Sequence, residues 1–274
     1  MKKIGITILL ISAVMQSYAG WPIGKGRSLT ALTYDWFRSA KYFDGQGKLQ
    51  NIGGPNDYFS SGFVSLSYTY GLKRRADFSV SIPFLTQKSI SSGTVYERAG
   101  FGDVQVGVTF HKENTDYTKS FSVQFLGIIP LYSNADEKLL LGYQSLGAMI
   151  NFNYSILPKF LKSGYLIFDA GYKQYFASDG PSQFSYTATI GSSIDKFNQL
   201  IGSIGGVSSF SINKQFSLLN PSVVKNFTSI NATATYGRRI TRTFSLYLSG
   251  NIIVWGVNTG QGAGIGLSAS LRIP

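Results

Sequence analysis

Hydrophobic and polar residues alternate with a period of two along most of the chain. In residues 102–110 the even positions are mainly apolar, namely Val104, Val106, Val108 and Phe110. The odd positions between them are Asp103, Gln105, Gly107 and Thr109. Alternation of this kind places successive side chains on opposite faces of a β-strand. Because similar runs recur at 64–70, 77–84, 184–190 and 265–272, the chain is predicted to be all-β.

These runs predict about twelve strands. Their approximate ranges are 28–36, 58–70, 76–86, 100–111, 119–131, 142–155, 164–176, 182–195, 198–210, 224–237, 241–255 and 261–273. A tilted membrane-crossing strand needs about 9 to 11 residues, whereas strands in soluble proteins average about 5 to 6. The lengths favour a transmembrane, antiparallel, up-and-down β-barrel of about twelve strands, with ten or fourteen as alternatives. A secreted β-sandwich also alternates and stays open as the other fold.

The connections between the strands differ in kind at the two ends. Those after the second, fourth, sixth, eighth and tenth strands are short and basic, at 71–75, 111–118, 157–163, 195–197 and 237–240. Most of the others are longer and polar, at 37–57, 87–99, 132–141 and 211–223, although 177–180 and 256–260 are short. Outer-membrane barrels have short periplasmic turns and longer outer loops. The even strand count therefore predicts a bacterial outer-membrane protein with both termini in the periplasm.

The N-terminus has the pattern of an export signal. Lys2 and Lys3 precede an apolar stretch over 4–14, and Ser17 and Ala19 provide small residues for cleavage. We expect residues 1–19 to be a signal peptide and residues 20–274 to form the barrel domain. A retained membrane helix is the alternative, but the apolar stretch is shorter than the roughly 20 residues that a span needs.

Aromatic residues are predicted to mark the two edges of the outer surface, as barrels carry aromatic girdles at the headgroup level. The girdle near the short turns would contain Tyr70, Phe78, Phe110, Phe121, Tyr154, Tyr236 and Phe244. The opposite girdle would contain Tyr34, Trp36, Phe84, Tyr172 and Phe184. Strand ends attract aromatic residues in any sheet protein, so this pattern adds modest support to the barrel.

The formal net charge of +12 raises the question of a nucleic-acid partner. The cations do not gather with aromatic residues into one binding surface, so no nucleic-acid partner is expected. Many lie at the short turns instead, namely Lys73, Arg74, Arg75, Lys159, Lys162, Lys196, Arg238, Arg239 and Arg242. They would contact anionic headgroups of outer-membrane lipids, or form a solvated rim that keeps the turns soluble.

The chain offers little for catalysis. It contains no cysteine and a single histidine, so no metal site and no cofactor are expected. His111 lies at a predicted periplasmic turn, on the wrong side for a barrel enzyme that modifies outer lipids, and that function is a minor alternative. The carboxylates fall on separate strands without the spacing of a catalytic pair.

The inward face of the predicted barrel is rich in small polar residues, which leaves room for water and a narrow solute. Inward positions on strands that reach the outer mouth are the candidates for solute contacts: Asp103, Gln105, Tyr247, Asn251 and Trp255. The loop at 37–57 or the N-terminal segment 20–27 could instead fold inward and close the lumen. The alternatives are therefore a passive channel and a closed barrel that anchors or stabilises the membrane.

The segment 68–84, Tyr-Thr-Tyr-Gly-Leu-Lys-Arg-Arg-Ala-Asp-Phe-Ser-Val-Ser-Ile-Pro-Phe, resembles the outer-membrane family named for the meta-pathway of phenol degradation. The motif Gly100-Phe101-Gly102-Asp103 and the segment 53–57, Gly-Gly-Pro-Asn-Asp, are similar to that family as well. The resemblance is strongest over residues 55–111. It implies an outer-membrane barrel and a channel or transporter for small hydrophobic or aromatic compounds, which the residues themselves do not identify.

One feature departs from the usual pattern of outer-membrane barrels. Their last strand ordinarily ends in an aromatic residue that serves as an assembly signal, and this chain ends in Leu271-Arg272-Ile273-Pro274. The alternating strand is present, but its terminal aromatic residue is missing.

Overall fold

The computed structural model describes residues 20–274 except 136, 162 and 214–223, so the signal peptide predicted at 1–19 and Lys162 lie outside the described residues. Its strands are β1 (Ser28–Phe43), β2 (Leu49–Asn51), β3 (Tyr58–Lys73), β4 (Ala76–Ser91), β5 (Thr94–Phe101), β6 (Asp103–Glu113), β7 (Lys119–Pro130), β8 (Gly147–Ile156), β9 (Gly164–Tyr175), β10 (Ser182–Ser193), β11 (Asn198–Phe210), β12 (Phe227–Arg239), β13 (Phe244–Val257) and β14 (Thr259–Ile273). Within these residues, no helix is long and apolar enough to cross a membrane.

The sheet closes on itself. Neighbouring strands pair antiparallel, and β14 pairs with β1 in a register that runs from Ser28 opposite Ile273 to Phe43 opposite Thr259. The short strand β2 pairs only with the C-terminal end of β1, and β5 pairs with the C-terminal half of β4. The remaining strands form a closed antiparallel barrel of twelve strands, which confirms the predicted fold class.

Two of the predicted loops are partly strand. β1 continues through Phe43 and then pairs with β2, within the region expected to be a loop at 37–57. β4 and β5 form a hairpin within the region expected at 87–99, turning at Ser92 and Gly93, which have positive φ angles of 50° and 81°. Both Asp57 carboxylate oxygens accept the Ser92 N–H, at 3.0 and 3.1 Å. Alternation predicts where a strand crosses a membrane, but it does not show how far a hairpin continues beyond it.

Burial confirms the predicted faces. On β3 the apolar Leu66 is 48% exposed on the outer surface, whereas its neighbours Ser65 and Ser67 are 4% and 8% exposed because they point into the barrel. A soluble sandwich would bury the apolar face and expose the serines. This barrel does the opposite, as a protein with a lipid-facing wall must.

The aromatic residues predicted for the girdles lie on the outer face. Those at the short-turn end pair with other outward residues, as Phe78 does with Tyr70 and Val108, and as Phe244 does with Leu271. Phe110, Phe121, Tyr154 and Tyr236 are exposed there, and Tyr34, Trp36, Phe84, Tyr172 and Phe184 are exposed nearer the other end. These residues lie on the outer surface of the barrel, and their contact with headgroups stays a prediction.

The strand directions place both ends of the barrel domain together. β1 begins and β14 ends at the same end of the barrel as the connections at 74–75, 114–118, 157–163, 194–197 and 240–243, which we call the short-turn end. The described residues of the connections at 44–57, 131–146, 176–181 and 211–226 lie at the opposite, long-loop end. The predicted asymmetry of the connections is confirmed.

Candidate functional site

The first residues of the described chain lie inside the barrel at the short-turn end. We call residues 20–27 the N-terminal plug. The carbonyl of Gly20 accepts hydrogen bonds from Ser120 Oγ at 2.9 Å and from His111 Nδ1 at 3.1 Å. Further along, the Gly26 N–H donates to the carbonyl of Gly71 at 2.8 Å. The plug therefore lies along the inside of the wall from β3 to β7. An inward fold of this segment was one of the two ways of closing the lumen considered from the sequence.

A buried carboxylate holds the middle of the plug. Asp77 Oδ2 accepts the backbone N–H of Ile23 at 3.1 Å and lies 2.9 Å from His111 Nε2, without the angle of a hydrogen bond. The side chains of Asp77 and His111 are 3% and 5% exposed. Since His111 Nδ1 faces a carbonyl oxygen, it must carry a proton and donate. Nδ1 of this histidine is thus bound to the plug, and Nε2 lies beside Asp77, which anchors the plug.

Gly71 makes room for the plug. A Cβ atom at this position would lie 1.9 Å from the carbonyl oxygen of Gly24, so only glycine allows the two backbones to come this close. The Gly71 N–H donates to the carbonyl of Arg27 at 2.9 Å. The plug and β3 are therefore joined by backbone hydrogen bonds on both sides of Gly71.

The connection between β7 and β8, residues 131–146, covers the lumen at the long-loop end, and we call it the lid loop. Tyr132 donates its hydroxyl to Asp103 Oδ1 at 2.8 Å, and Tyr175 on β9 donates to Oδ2 at 3.0 Å. Tyr132 Oη also accepts the Gln144 N–H at 3.0 Å. Burial raises the pKa of Tyr132, and the nearby Asp103 carboxylate raises it further, so the phenol stays protonated and can donate.

Tyr143 extends the lid loop across the lumen. Its hydroxyl donates to the carbonyl of Val224 at 3.0 Å, before β12, and accepts from Gln183 Nε2 at 3.2 Å. Its ring packs edge-on against Tyr175, with centroids 4.7 Å apart. Burial raises the pKa of Tyr143 too, which keeps the hydroxyl a donor. The lid loop is thus linked to β6, β9, β10 and the segment before β12.

Arg98 on β5 fastens the outer part of the lid loop. Its guanidinium donates from Nη1 to Asn134 Oδ1 at 2.9 Å and to the carbonyl of Leu139 at 2.5 Å, and from Nη2 to the carbonyl of Ser133. Leu139 and Leu141 are buried beside it. The β4–β5 hairpin, which alternation did not predict as strand, therefore supports the lid.

A cavity of about 350 Å³ lies in the lumen between the plug and the lid loop. We call it the lumen chamber. Its polar lining includes Gln105, Gln124, Asn151, Asn153 and Asp169. Its apolar lining includes Phe63, Leu126, Met149, Val207 and Phe227, while Trp21 and Tyr143 contribute from the two closures. The volume falls within the range of about 300 to 1,000 Å³ that small-molecule sites occupy.

The polar lining is connected by hydrogen bonds along neighbouring strands. Gln124 Nε2 donates to Ser79 Oγ at 3.4 Å, and Asn151 Nδ2 donates to Gln124 Oε1 at 3.2 Å. Asn153 Nδ2 donates to Asp169 Oδ1 at 2.7 Å. Side-chain amides both donate and accept, so this wall can exchange hydrogen bonds with water or with a polar group of a solute.

The structure separates the five residues predicted to contact a solute. Asp103 and Gln105 line the lumen chamber as expected. Tyr247 and Asn251 pair with Gly237 and Thr233 on the inner face of the barrel, but outside the lining of the chamber. A Cβ at Gly237 would come within 2.8 Å of the Tyr247 ring, so this tyrosine packs against the wall beside a glycine.

The predicted inward orientation of Trp255 is wrong. A β-bulge shifts the register between Ile230 and Asn231, so that Trp255 pairs with the outward Ile230, although Ile253 two residues earlier still points inward. Trp255 is 43% exposed, while Ile253 is buried. One extra residue in a strand moves every later side chain to the other face, and the sequence carries no clear signal of it.

Several residues of the site were not among the sequence candidates. Asp77 is an inward carboxylate at the start of β4, and Tyr143 lies in a segment that was predicted as the beginning of a strand at 142–155. Its actual place is the lid loop, since β8 begins at Gly147. The one available signal was the isolated carboxylate at 77 among inward serines, which needs a partner when it is buried.

No protein-family model matches the chain, and no curated protein matches its sequence. Solved structures do match its fold. An outer-membrane channel from Pseudomonas putida F1 superposes with a TM-score of 0.74 at 12% identity, covering 94% of this chain and 98% of that chain. The NanC porin gives 0.54 at 11% identity, over 89% of this chain and 100% of that chain. The translocator domain of the autotransporter NalP from Neisseria meningitidis gives 0.51 at 9% identity, over 91% and 89% of the two chains.

These likenesses establish the architecture. At identities this low they show a shared fold, which is the fold of bacterial outer-membrane barrels, several of them channels. They do not show that a solute of one of these proteins is also a solute of this protein. The chemistry of this chain must be argued from its own plug, lid loop and lumen chamber.

Proposed function

We propose that this protein is a passive outer-membrane channel for small hydrophobic or aromatic solutes. The observation that carries the proposal is the lumen chamber, which is large enough for a single-ring solute. Its aromatic and aliphatic side chains suit an apolar ring, and its amides suit one or two polar substituents. Flux through such a barrel follows the concentration gradient.

The proposal includes the place and orientation of the protein. Cleavage after Ala19 would leave Gly20 at the start of the mature chain, at the position where the plug enters the lumen. The short-turn end would then face the periplasm, with both termini on that side. Membership of the family named for the meta-pathway of phenol degradation is part of the same proposal. The motifs at 68–84 and 100–103 support it.

Channel function requires that the plug and the lid loop move. Both are held by individual hydrogen bonds, which for the plug include backbone bonds to Gly71, and neither is a strand of the barrel. Loops attached in this way open at lower cost than the barrel itself. The structure would then represent a closed state.

Planar bilayer recordings test the channel directly. The purified protein should give discrete conductance steps, and vesicles that contain it should take up a labelled single-ring aromatic compound faster than empty vesicles. Asp103→Ala, which removes the acceptor of both tyrosines, should change the rate, whereas the outward Trp255→Ala should not. Absence of both conductance and uptake across hydrophobic and polar solutes would refute the proposal.

The second candidate function is a structural barrel whose lumen stays closed. The closures at both ends favour it, because a channel would have to release at least one of them. A conductance that stays at zero even after the plug is removed by deletion of residues 20–25 would support this candidate. Conductance that appears on the same deletion would favour the channel.

A further inference from the structure

Charge is distributed unequally between the two ends of the barrel. Ion pairs occur at both ends, with Lys88–Glu97 and Lys225–Asp179 at the long-loop end, both at 2.5 Å, and Arg75–Glu113 at the short-turn end, at 2.8 Å. At the short-turn end the described acidic residues are Asp77, which points inward, and Glu113, Asp116 and Asp195, against the many basic residues of the turns there. Among the described residues, this end therefore carries most of the positive charge.

Two adjacent turns at this end form one continuous basic surface. We call residues 194–198 and 238–243 together the two-turn patch. The Arg239 N–H donates to the carbonyl of Phe197 at 2.8 Å, and Arg239 Nη2 donates to the carbonyl of Lys196. The Arg239 guanidinium also lies 5.9 Å from the centre of the Phe197 ring. These contacts join the two turns and so fix the positions of the turns relative to each other.

The basic side chains of the patch are exposed, namely Lys196, Arg238, Arg239 and Arg242. The acidic residue among them, Asp195, accepts the backbone N–H groups of Phe197 and Asn198 at 2.7 and 2.8 Å. Hydrogen bonds from Asn198 and Phe197 hold the pKa of Asp195 below its usual range. Its carboxylate also interacts electrostatically with Arg238, and with four cations against one carboxylate the patch keeps a net positive charge.

Apolar side chains are interleaved with these cations. Ile194, Phe197 and Ile240 are 60%, 57% and 48% exposed. Tyr236, on the outward girdle just above the patch, donates its hydroxyl to Asn198 Oδ1 at 2.6 Å. The patch thus begins where the lipid-facing wall ends, at the level of the headgroups.

We propose that the two-turn patch binds the headgroups of anionic phospholipids in the leaflet that meets the short-turn end. Arginine guanidinium groups match the phosphate oxygens in geometry and charge, and the exposed Phe197 and Ile240 contact the upper acyl chains. Exposed cations at a girdle favour a lipid phosphate over a soluble anion. When a lipid binds, the apolar side chains that lie between the cations are also removed from water, and a soluble anion would leave them exposed. The proposal rests on the proposed membrane location and is independent of transport through the lumen.

Native mass spectrometry of the full mature chain in dodecylmaltoside micelles tests this inference. The protein is titrated with phosphatidylglycerol or with phosphatidylcholine, and bound lipids are counted at each concentration. The wild-type protein should retain phosphatidylglycerol in preference to phosphatidylcholine. The double variant Arg238→Gln/Arg242→Gln should lose affinity for phosphatidylglycerol on the order of fivefold for each removed charge.

A matched control removes two cations from the other end. Lys41→Gln/Lys48→Gln changes the net charge equally and should leave phosphatidylglycerol binding unchanged. Equal retention of the two lipids, or unchanged phosphatidylglycerol binding in the patch variant, would overturn the proposal. Displacement of the lipid by millimolar inorganic phosphate would reduce the patch to a phosphate site and would overturn it as well.

Salt provides a readout that does not depend on a variant. If the patch variant fails to fold, as judged by the gel shift between unboiled and boiled protein, the wild-type titration is repeated at rising ammonium acetate concentration. The preference for phosphatidylglycerol should fall steadily, because exposed charges are screened by salt. A preference that does not change with salt would contradict a patch built on these arginines. A protein that shows this lipid preference but no conductance would refute only the proposed transport.

Discussion

Replacement of Asp77 by alanine should release the N-terminal plug. Asp77 Oδ2 accepts the Ile23 N–H at 3.1 Å, and the carboxylate is the anionic neighbour of His111 at 2.9 Å. A hydrogen bond to a charged group stabilises by about 1.5 to 3 kcal/mol, and each 1.4 kcal/mol changes an equilibrium about tenfold. The ratio of released to docked plug should therefore rise by about 10- to 150-fold in Asp77→Ala.

The absence of cysteine from the sequence allows a direct assay of this release. Ile23 is 4% exposed in the docked plug, so the single thiol of Ile23→Cys should react with a maleimide only when the plug leaves the wall. In the Asp77→Ala background the labelling rate should rise by a factor in the stated range. Single-channel recordings of the same variants should show more frequent conductance steps.

Two further variants separate the plug from general effects on the lumen. Asp35→Asn removes another inward carboxylate, on β1, and should leave the labelling rate of Ile23→Cys unchanged. Gly71→Val should raise it, because its side chain would meet the Gly24 carbonyl oxygen, which lies 1.9 Å from the position of a Cβ. If Asp77→Ala and Gly71→Val both label at the wild-type rate, the contacts described for the plug do not hold it.

Three other predictions test the wall, the lid loop and the long-loop end. Val106→Arg on the outer face should lower the free energy of unfolding by about 2 to 4 kcal/mol, whereas the adjacent inward Gln105→Arg should be tolerated. Urea titration of the folded barrel measures both variants, and equal losses would contradict the assigned faces. Tyr143→Phe removes the hydroxyl that bonds to Val224 and Gln183, so hydrogen exchange in the lid loop should increase by an amount equivalent to about 1 kcal/mol, and unchanged exchange would refute that link. A hydrogen bond from Lys225, a hydrogen bond from Asn213 and the charge of Lys225 lower the pKa of Asp179. The ionised carboxylate therefore stabilises the adjoining loops above the ordinary pKa of about 3.9, and this stabilisation is lost as the pH falls through the lowered pKa. Hydrogen exchange near residue 179 should rise over that pH range in the wild type and show no such dependence in Asp179→Asn.

Alternation is sufficient to predict the barrel wall because the wall obeys a strict rule. Each spanning strand has lipid on one side and the lumen on the other, so residues such as Leu66 and Ser65 must differ in polarity. The count of twelve, the faces and the two ends follow from this rule and from the length of the connections. The chemistry of the wall can therefore be read locally, one strand at a time.

The interior cannot be predicted in the same way because its contacts are between residues distant in sequence. Gly20 meets Ser120, Asp77 meets Ile23, and Tyr143 meets Val224, and none of these pairs has a local signature. The bulge that turns Trp255 outward has no sequence signature either, since an aromatic residue is acceptable on the inner and on the outer face of the strand. Closure of the lumen becomes visible only once the strands have been placed.

The segments that resemble the phenol-degradation family acquire a physical meaning from these contacts. Within 68–84, Gly71 admits the plug and Asp77 binds it. In the motif at 100–103, Asp103 receives the hydroxyls of Tyr132 and Tyr175 and so holds the lid loop. Asp57, from the segment 53–57, accepts the Ser92 N–H at the turn of the β4–β5 hairpin, and that hairpin carries Arg98. The motif residues at 71, 77 and 103 therefore make contacts that close the lumen, and Asp57 makes contacts that support the hairpin beside the lid loop.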